Sequence, residues 1–370
     1  MELSDLPIRD DLQGKSPYGA PMIDVPVTLN VNENTHSVPA EVRASILEAL
    51  SGALENINRY PDREFVALRL ALADYVNDGA KGHSAPVTPE SVWAANGSNE
   101  VLQHVLQAFG GPGRSVLGFP PTYSMHPIIA EATGTQWVTA ARDADFEISP
   151  ATAVAAVKEH QPDVVFLCSP NNPTGTGVSL ETIEATYDAS DAMVLVDEAY
   201  IEFAPDDHPS ALRLLEGRPR LMISRTMSKA FAFAGARLGY LIADPAVNDA
   251  LRLVRLPYHL SALTQAAATA ALAHHSTMLA TVEQIREQRD RLVTELTKMG
   301  YTVWPSLANF VLFGGVVDPH ATFRGLLERG VLVRDVGIEH TLRVSAGTPE
   351  ETSAFLEALS DVDALARLEK

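Results

Sequence analysis

The sequence predicts an α/β protein, with a large domain built on a mainly parallel sheet and a smaller α+β domain beside it. Between residues 91 and 243, short apolar runs alternate with stretches of helical character. Several of these runs are apolar at successive positions, which is typical of strands covered on both faces. Beyond Pro257 the alternation ends and a long helical region begins. Alternating strands and helices build parallel sheets through βαβ units, so the later change indicates a second domain.

The predicted strands of the large domain follow one another at short intervals. They lie at residues 91–95, 115–119, 135–140, 164–168, 193–196, 221–224 and 239–243. Helices are predicted between them at residues 100–109, 150–160 and 180–190. A chain of 370 residues also exceeds the ~250–300 residues at which one hydrophobic core usually stops growing. Two domains are therefore expected.

The two ends of the chain are predicted to build the smaller domain. Residues 1–40 are rich in Pro, Asn and Asp and form an irregular arm. The large domain begins with helices at 41–54 and after Asp62, whose carboxylate can cap free amides. The last part should contain a helical region at 264–299, strands near 302 and at 310–313, 331–334 and 342–345, and helices at 322–328 and from 349 onward. The predicted division is an arm at 1–40 that is part of the small domain, a large domain at 41–260 and the small domain at 261–370.

The composition excludes several classes of function. The chain has 28 Lys and Arg against 47 Asp and Glu, so its formal net charge is −19. Nucleic acids and anionic membrane surfaces need concentrated positive charge, and no apolar stretch is long enough to span a bilayer, so neither is an expected partner. The single cysteine, Cys168, permits no intrachain disulfide, and residues 1–10 do not resemble a signal peptide. We therefore expect a cytoplasmic protein. We also expect no metal site, because the histidines form no metal-binding pattern.

Two polar motifs follow predicted strands, at the edge of the sheet where ligands bind in open α/β folds. The first, at residues 169–175, is a loop with two prolines and a glycine that presents the amide of Asn172. The second, at residues 196–200, contains Asp197 and, three residues later, Tyr200. Taken alone, the first motif could be an ordinary turn and the second a helix cap above a packed tyrosine.

A third motif supplies a possible phosphate site and an amine. Thr226, Ser228 and Arg237 could hold a phosphate, and Lys229 lies among them, although a lysine on a loop is most often a solvated surface charge. Upstream, residues 95–100 run from a strand through a glycine into a helix. The amides of Ser98 and Asn99 therefore lie at a helix N-terminus, which favours an anion.

In their order and spacing these motifs resemble those of the fold-type I pyridoxal-phosphate aminotransferases. Asp197 follows Asn172 by 25 residues, Lys229 follows Asp197 by 32, and Arg237 follows Lys229 by 8. The resemblance implies that pyridoxal 5'-phosphate is attached to Lys229, which then shuttles the substrate's α-proton. It implies that Asp197 pairs with the pyridine nitrogen and that Asn172 and Tyr200 hydrogen-bond the ring oxygen. Two further implied cofactor contacts are Tyr123, stacked on the ring, and Tyr60, reaching the phosphate of a neighbouring subunit in a homodimer.

Other residues are similar to those of the histidinol-phosphate aminotransferases. The implied substrate-binding residues are Tyr18, Asn34, Tyr258, Asn309, Arg334 and Arg343. By this resemblance Arg343 binds the carboxylate of glutamate in one half-reaction and the phosphate of histidinol phosphate in the other, assisted by Arg334. A planar guanidinium group matches both anions. The implied activity is a ping-pong transfer of an amino group between L-histidinol phosphate and 2-oxoglutarate, in histidine biosynthesis.

One departure from the family pattern leaves the substrate open. The family usually has proline and glycine soon after the position of Asn34, whereas this chain has Thr35, His36 and Ser37. An aromatic-amino-acid (phenylalanine) aminotransferase and a threonine-phosphate decarboxylase would share the same scaffold. A non-catalytic cofactor-binding protein would not need the intact set of Asp197, Lys229 and Arg237.

Overall fold

The computed structural model describes residues 5–79 and 82–368. Its strands are β1 (Val27–Thr28), β2 (Val92–Ala95), β3 (Ser115–Gly118), β4 (Gln136–Thr139), β5 (Val164–Cys168), β6 (Met193–Asp197), β7 (Leu221–Thr226), β8 (Gly239–Ala243), β9 (Thr302–Val303), β10 (Phe310–Gly314), β11 (Val331–Leu332) and β12 (Thr341–Ser345). Its α-helices are α1 (Ala40–Leu54), α2 (Val66–Asp78), α3 (Ser98–Phe109), α4 (Met125–Ala132), α5 (Pro150–His160), α6 (Leu180–Asp188), α7 (Pro245–Val254), α8 (Ala262–Leu272), α9 (His275–Lys298), α10 (Pro319–Glu328) and α11 (Pro349–Leu368).

A seven-stranded sheet forms the centre of the larger part of the chain. Its strand order is β2-β8-β7-β6-β5-β3-β4, and only β8 runs against its neighbours. Strands β2, β5 and β8 are buried along their whole length, as their apolar sequences predicted, and β7 is buried as well although it ends in three polar residues. The predicted α/β class with a mainly parallel sheet is confirmed, and all seven predicted strands are present within two residues of their expected ends.

The sheet register brings the predicted motifs together at one edge. Asp197, the last residue of β6, lies between Cys168 of β5 and Ser224 of β7. The loops that follow these three parallel strands therefore open on the same side of the sheet. This edge is where open α/β sheets bind their ligands.

The N-terminal arm pairs with the C-terminal part of the chain. Strand β1 lies parallel to β11, and β12, β10 and β9 form an antiparallel sheet beside them. The Leu29 carbonyl accepts a hydrogen bond from the Ser345 amide at 2.9 Å, which extends this contact beyond β1. The division of the chain at residues 40 and 260 stays a prediction.

The predicted helical region at residues 264–299 is two helices, α8 and α9. The chain leaves helical geometry at His274, where φ is −119° and ψ is 30°. The break follows from packing, because α8 contacts α1 and α2 whereas α9 contacts β9, β10 and α11. Helix α7 was also missed, although Asp244 caps it and Pro245 begins it.

The predicted cap at Asp62 is present. Its two carboxylate oxygens accept hydrogen bonds from the Glu64 and Val66 amides, at 2.9 and 2.8 Å. Among the described residues, no helix combines the length and the apolar character that crossing a bilayer requires.

Candidate functional site

A cavity of about 370 Å³ lies at the carboxyl edge of the large sheet. Its wall contains thirteen of the predicted site residues: Tyr18, Ser98, Asn99, Tyr123, Asn172, Asp197, Tyr200, Thr226, Ser228, Lys229, Arg237, Arg334 and Arg343. They come from the arm, from the loops after β2, β3, β5, β6 and β7, and from the last part of the chain. Residues far apart in sequence thus share one enclosed space.

Lys229 projects into this cavity from the turn after β7. Burial lowers its pKa to about 8, and the nearby Arg343 and Arg237 guanidinium groups act in the same direction. Its Nζ donates a hydrogen bond to the Val31 carbonyl at 3.0 Å. A lysine with a lowered pKa offers a neutral, nucleophilic amine near neutral pH.

This lowered pKa predicts how fast Lys229 reacts with an aldehyde. With a pKa of about 8, about a tenth of the amine is neutral at pH 7, against less than about a thousandth for an ordinary lysine. The rate at which pyridoxal phosphate attaches to the cofactor-free protein should rise about tenfold per pH unit up to pH 8 and then level off. Stopped-flow absorbance over a pH series measures it. A rate that continues to rise up to pH 10 would contradict the assignment.

The same shift predicts a pH dependence of stability. The pKa of Lys229 is lowered from 10.5 to about 8, so between these values the unfolded chain binds more protons than the folded one. The contribution of Lys229 to the free energy of unfolding therefore rises as the pH increases through this window.

Asp197 is buried and held by two side chains. Ser224 Oγ donates to its Oδ1 at 2.8 Å, and His126 Nε2 lies 3.2 Å from its Oδ2. Only 1% of Asp197 is exposed, so burial and these two contacts fix the orientation of its carboxylate. A carboxylate held in this way can pair with a cation that enters the cavity.

Tyr200 receives two amide donors on its hydroxyl. Asn32 Nδ2 donates at 3.1 Å and Asn172 Nδ2 at 3.4 Å. Burial raises the pKa of Tyr200 to about 12, although the nearby Arg343 and Asn32 oppose the shift. The hydroxyl thus stays protonated and can donate a hydrogen bond to an oxygen atom in the cavity.

The predicted anion cradle is formed where α3 begins. Gly97 has a φ of +86°, and a Cβ there would lie 2.7 Å from Arg237 Nη2, so only glycine lets this guanidinium approach the turn. Gly239 similarly leaves room for the Ser98 backbone. The free amides of α3, the Ser228 hydroxyl and Arg237 together can hold a phosphate group. Thr226 Oγ1 accepts from the Ser228 amide at 3.1 Å and so shapes the turn before Lys229.

Tyr123 lines the cavity and contacts the cradle through Asn99. Its hydroxyl donates to Asn99 Oδ1 at 3.2 Å, and its ring meets the His126 ring edge to face at 5.5 Å between centroids. Burial raises the pKa of Tyr123 well above its usual range, so the ring remains neutral. A neutral aromatic ring held at both ends is suited to stacking against a flat ligand.

Arg343 supplies a buried positive charge to the wall of the cavity. Its Nη1 donates to Asn172 Oδ1 at 2.5 Å and its Nη2 to the Asn30 carbonyl at 2.7 Å, while its buried Nε has no partner among the described residues. Burial lowers its pKa to about 10, and the neighbouring Arg334 contributes to the shift. Arg343 nevertheless stays charged at neutral pH and can attract an anionic substrate group.

Comparison with known proteins identifies the family. Over residues 25–359 the chain matches the family described as "Aminotransferase class I and II". The chain belongs to this family. A histidinol-phosphate aminotransferase from Paenarthrobacter aurescens is 60% identical over 360 residues, covering 96% of this chain and 95% of that protein. One from Streptomyces avermitilis is 57% identical, with 97% of both chains covered.

A solved structure supports the same relationship. Histidinol-phosphate aminotransferase from Sinorhizobium meliloti, in complex with pyridoxal-5'-phosphate, matches this chain with a TM-score of 0.79 and 25% identity, covering 91% of each chain. The predicted aminotransferase family and its fold-type I architecture are therefore confirmed.

Four of the predicted site residues of this aminotransferase lie outside the cavity wall. Asn309 is buried and donates to the Asn32 carbonyl at 3.1 Å, and Asn34 donates to the Ala230 carbonyl at 3.1 Å. Both amides hold the arm in place, and neither side chain lines the cavity of its own chain. Tyr60 and Tyr258 stack on each other on the outer surface, with ring centroids 4.4 Å apart, and are 80% and 40% exposed.

Sequence reasoning about this aminotransferase missed three residues that hold the predicted ones. His126 and Ser224 contact Asp197, and Asn32 contacts Tyr200. Ser224 was detectable, because it lies on the strand beside Asp197 and begins the lysine motif. His126 carries no spacing signal, since it belongs to α4, a short helix that was itself not predicted.

His126, Cys168 and Asp197 also form a group whose possible metal-ligating atoms lie within 4.8 Å of one another. Burial raises the pKa of Cys168 to about 12, so its thiolate is disfavoured. Asp197 already accepts from Ser224. The contacts that hold Asp197 in place explain why these three residues lie together. The expectation that the protein binds no metal stays a prediction.

Proposed function

We propose that this aminotransferase carries pyridoxal 5'-phosphate on Lys229 and transfers an amino group between L-histidinol phosphate and 2-oxoglutarate, in histidine biosynthesis. The observation that carries the proposal is a largely buried lysine with a pKa of about 8 that lines one cavity with a buried carboxylate and an anion cradle. When bound, the cofactor supplies an aldehyde and a ring that withdraws electrons from the substrate's α-carbon.

The cavity residues fit this cofactor. Asp197 would hold a proton on the ring nitrogen, and Asn172 and Tyr200 would hydrogen-bond the ring oxygen. Tyr123 would cover one face of the ring. The phosphate would be bound by the residues that form or line the cradle: Ser98, Asn99, Thr226, Ser228 and Arg237.

Lys229 would then act twice. Its neutral amine would hold the cofactor, and once a substrate amine takes that place the freed amine would accept the proton from the substrate's α-carbon and give it up again. A base works best when its pKa lies near the working pH, and the pKa of about 8 at Lys229 satisfies this condition.

The two arginines favour substrates with an anionic end. Arg343 and Arg334 exchange both backbone hydrogen bonds of a short bridge, at 2.9 and 3.0 Å, so their positions are coupled. Arg343 would bind the carboxylate of glutamate or the phosphate of histidinol phosphate, with Arg334 and Tyr18 beside it. The relatives at 57% and 60% identity carry the histidinol-phosphate name, which favours this substrate over phenylalanine or threonine phosphate.

We also propose a homodimer located in the cytoplasm. Tyr60 and Tyr258 are surface-exposed aromatic residues outside the cavity of their own chain, which supports a role of Tyr60 in completing the phosphate site of a partner. Asn34 and Asn309 would contribute to substrate binding by holding the arm. Sedimentation equilibrium tests the dimer, and a monomer that is fully active at all protein concentrations would contradict it.

Single-turnover assays test the substrate. The cofactor-loaded enzyme is mixed separately with histidinol phosphate, phenylalanine and threonine phosphate, and conversion of the cofactor to its amino form is followed by absorbance. Histidinol phosphate should react at least about tenfold faster than phenylalanine, because its doubly charged phosphate can bind both Arg343 and Arg334, whereas phenylalanine offers one carboxylate and an uncharged side chain. Faster conversion by phenylalanine, or release of carbon dioxide from threonine phosphate, would overturn the substrate assignment.

A further inference from the structure

Strands β6 and β7 carry two neighbouring pairs of polar side chains. Asp197 and Ser224 are partners in the strand register and are joined by a side-chain hydrogen bond, and Asp197 lines the cavity. Glu198, which directly follows β6, and Arg225 of β7 form a second pair. Successive residues of a strand point to opposite faces, so Arg225 lies on the reverse side of the sheet from Ser224, and its partner Glu198 lies there with it. The two pairs share a backbone contact, the 2.8 Å hydrogen bond from the Glu198 amide to the Ser224 carbonyl.

The second pair is buried and fully hydrogen-bonded. Arg225 Nε and Nη2 donate to Glu198 Oε2 at 3.0 and 2.9 Å. Ser210 Oγ lies 2.8 Å from the same oxygen, and the Ala211 amide donates to Oε1 at 2.7 Å. Glu198 is 2% exposed and Arg225 is 4% exposed. A buried ion pair with this many bonds holds one geometry strongly, because any displacement leaves a charge without its partner.

Neither member of this pair lines the cavity. Glu198 is bonded to Asp197, which does line it, and Arg225 is bonded to Ser224, which donates a hydrogen bond to Asp197. Asp197 has its Oδ1 contact from Ser224, so its direction depends on where β7 lies relative to β6. The pair Glu198–Arg225 joins β7 to the residue that directly follows β6. Beyond Asp197 the chain leaves the strand, and the ion pair holds it against β7 together with the backbone bond from the Glu198 amide to the Ser224 carbonyl.

We propose that Glu198 and Arg225 are positioning residues, whose ion pair holds the Asp197 carboxylate in line with the cofactor's ring nitrogen. This inference rests on the proposed cofactor and its place on Lys229. Both residues would act on the cofactor only through Asp197, because neither of them lines the cavity.

Two variants separate positioning from stability. Arg225→Met leaves Glu198 buried without its cation, whereas the double variant Glu198→Gln/Arg225→Met removes both charges and keeps a similar volume. Replacing both partners restores much of the stability that removing one partner loses. A matched control is Arg289→Met, since Arg289 is an equally buried arginine whose bonds to the Phe203 and Ala308 carbonyls lie away from the cofactor cavity.

Three measurements are made on each protein: thermal unfolding without cofactor, the cofactor dissociation constant, and the pH midpoint of the absorbance of the Lys229-bound cofactor. A ring nitrogen held protonated by Asp197 disfavours a second proton at the lysine nitrogen, so a misplaced Asp197 should raise this midpoint. We expect both variants at the pair to bind cofactor about tenfold or more weakly and to show a raised midpoint. The double variant should recover thermal stability without recovering the other two properties.

The opposite results overturn the inference. If the double variant regains the wild-type midpoint and affinity together with its stability, the pair is structural only. If Arg289→Met raises the midpoint equally, the effect is a general consequence of losing a buried arginine. If the wild-type protein itself forms no bond between cofactor and Lys229, the proposed function fails, and this outcome is read from the wild type alone.

Discussion

Replacing Lys229 with alanine is expected to abolish the covalent attachment of pyridoxal phosphate and to lower amino transfer at least about 10⁴-fold. The change removes both the amine that holds the cofactor and the base that moves the α-proton, and proton transfer alone contributes up to about that factor. Borohydride reduction of the loaded protein, followed by peptide mapping, measures attachment. The chain has six lysines, so each candidate peptide can be followed separately.

The matched control for this prediction is Lys298→Ala. Lys298 is an exposed lysine paired with Glu295 at 2.8 Å on the surface of α9, and its loss should leave attachment and turnover at wild-type levels. Lys229→Ala should also not weaken the cofactor-free fold, because burial disfavours the charged form of this amine. A reduced adduct that survives in Lys229→Ala would place the cofactor on another lysine and refute the assignment.

The large sheet could be predicted from sequence because its strands can be recognised from short runs of apolar residues. Strands such as β5 are apolar at every position and are bounded by turn residues, so their existence and their ends follow from composition alone. The break between α8 and α9 could not be predicted in this way. Alanine-rich and charged segments both favour helix, and the change of direction at His274 arises from which surfaces the two helices meet.

The candidate site also combines residues that a short motif predicts with residues that only the folded chain brings there. Asn172, Asp197 and Lys229 lie at or just after the ends of strands that are neighbours in the sheet, so their meeting in one cavity follows from the order of the motifs. His126 and Asn32 reach the site through α4 and the arm, and neither the helix nor the course of the arm is encoded in a short motif. Asn309 was predicted to bind substrate through resemblance, whereas the structure uses its amide to hold the Asn32 carbonyl.

Replacing Asp197 with asparagine is the second change with a large expected effect. The amide keeps the shape of the carboxylate but carries no charge, so it cannot hold a proton on the cofactor's ring nitrogen. Removing one preorganised electrostatic partner typically lowers turnover about 10²–10³-fold. We expect a loss of that size in the single-turnover rate with histidinol phosphate, while the bond between cofactor and Lys229 still forms. Rapid-mixing absorbance measures the rate, and borohydride reduction measures the bond.

The control replaces a carboxylate that also accepts a hydrogen bond from a neighbouring strand, but at the opposite edge of the sheet. Asp163 Oδ2 accepts from the Ser115 amide at 2.9 Å just before β5, so Asp163→Asn removes a structural carboxylate without reaching the cavity and should keep the wild-type rate. If Asp197→Asn also keeps that rate, the carboxylate serves only to hold Ser224 and His126. The negative charge would then have no part in the reaction, and the reason for burying it beside a lysine cavity would have to lie in folding. A loss confined to Asp197→Asn, with attachment intact, instead identifies the charge itself as the contribution, because the shape, the neighbours and the bond to Lys229 are all retained.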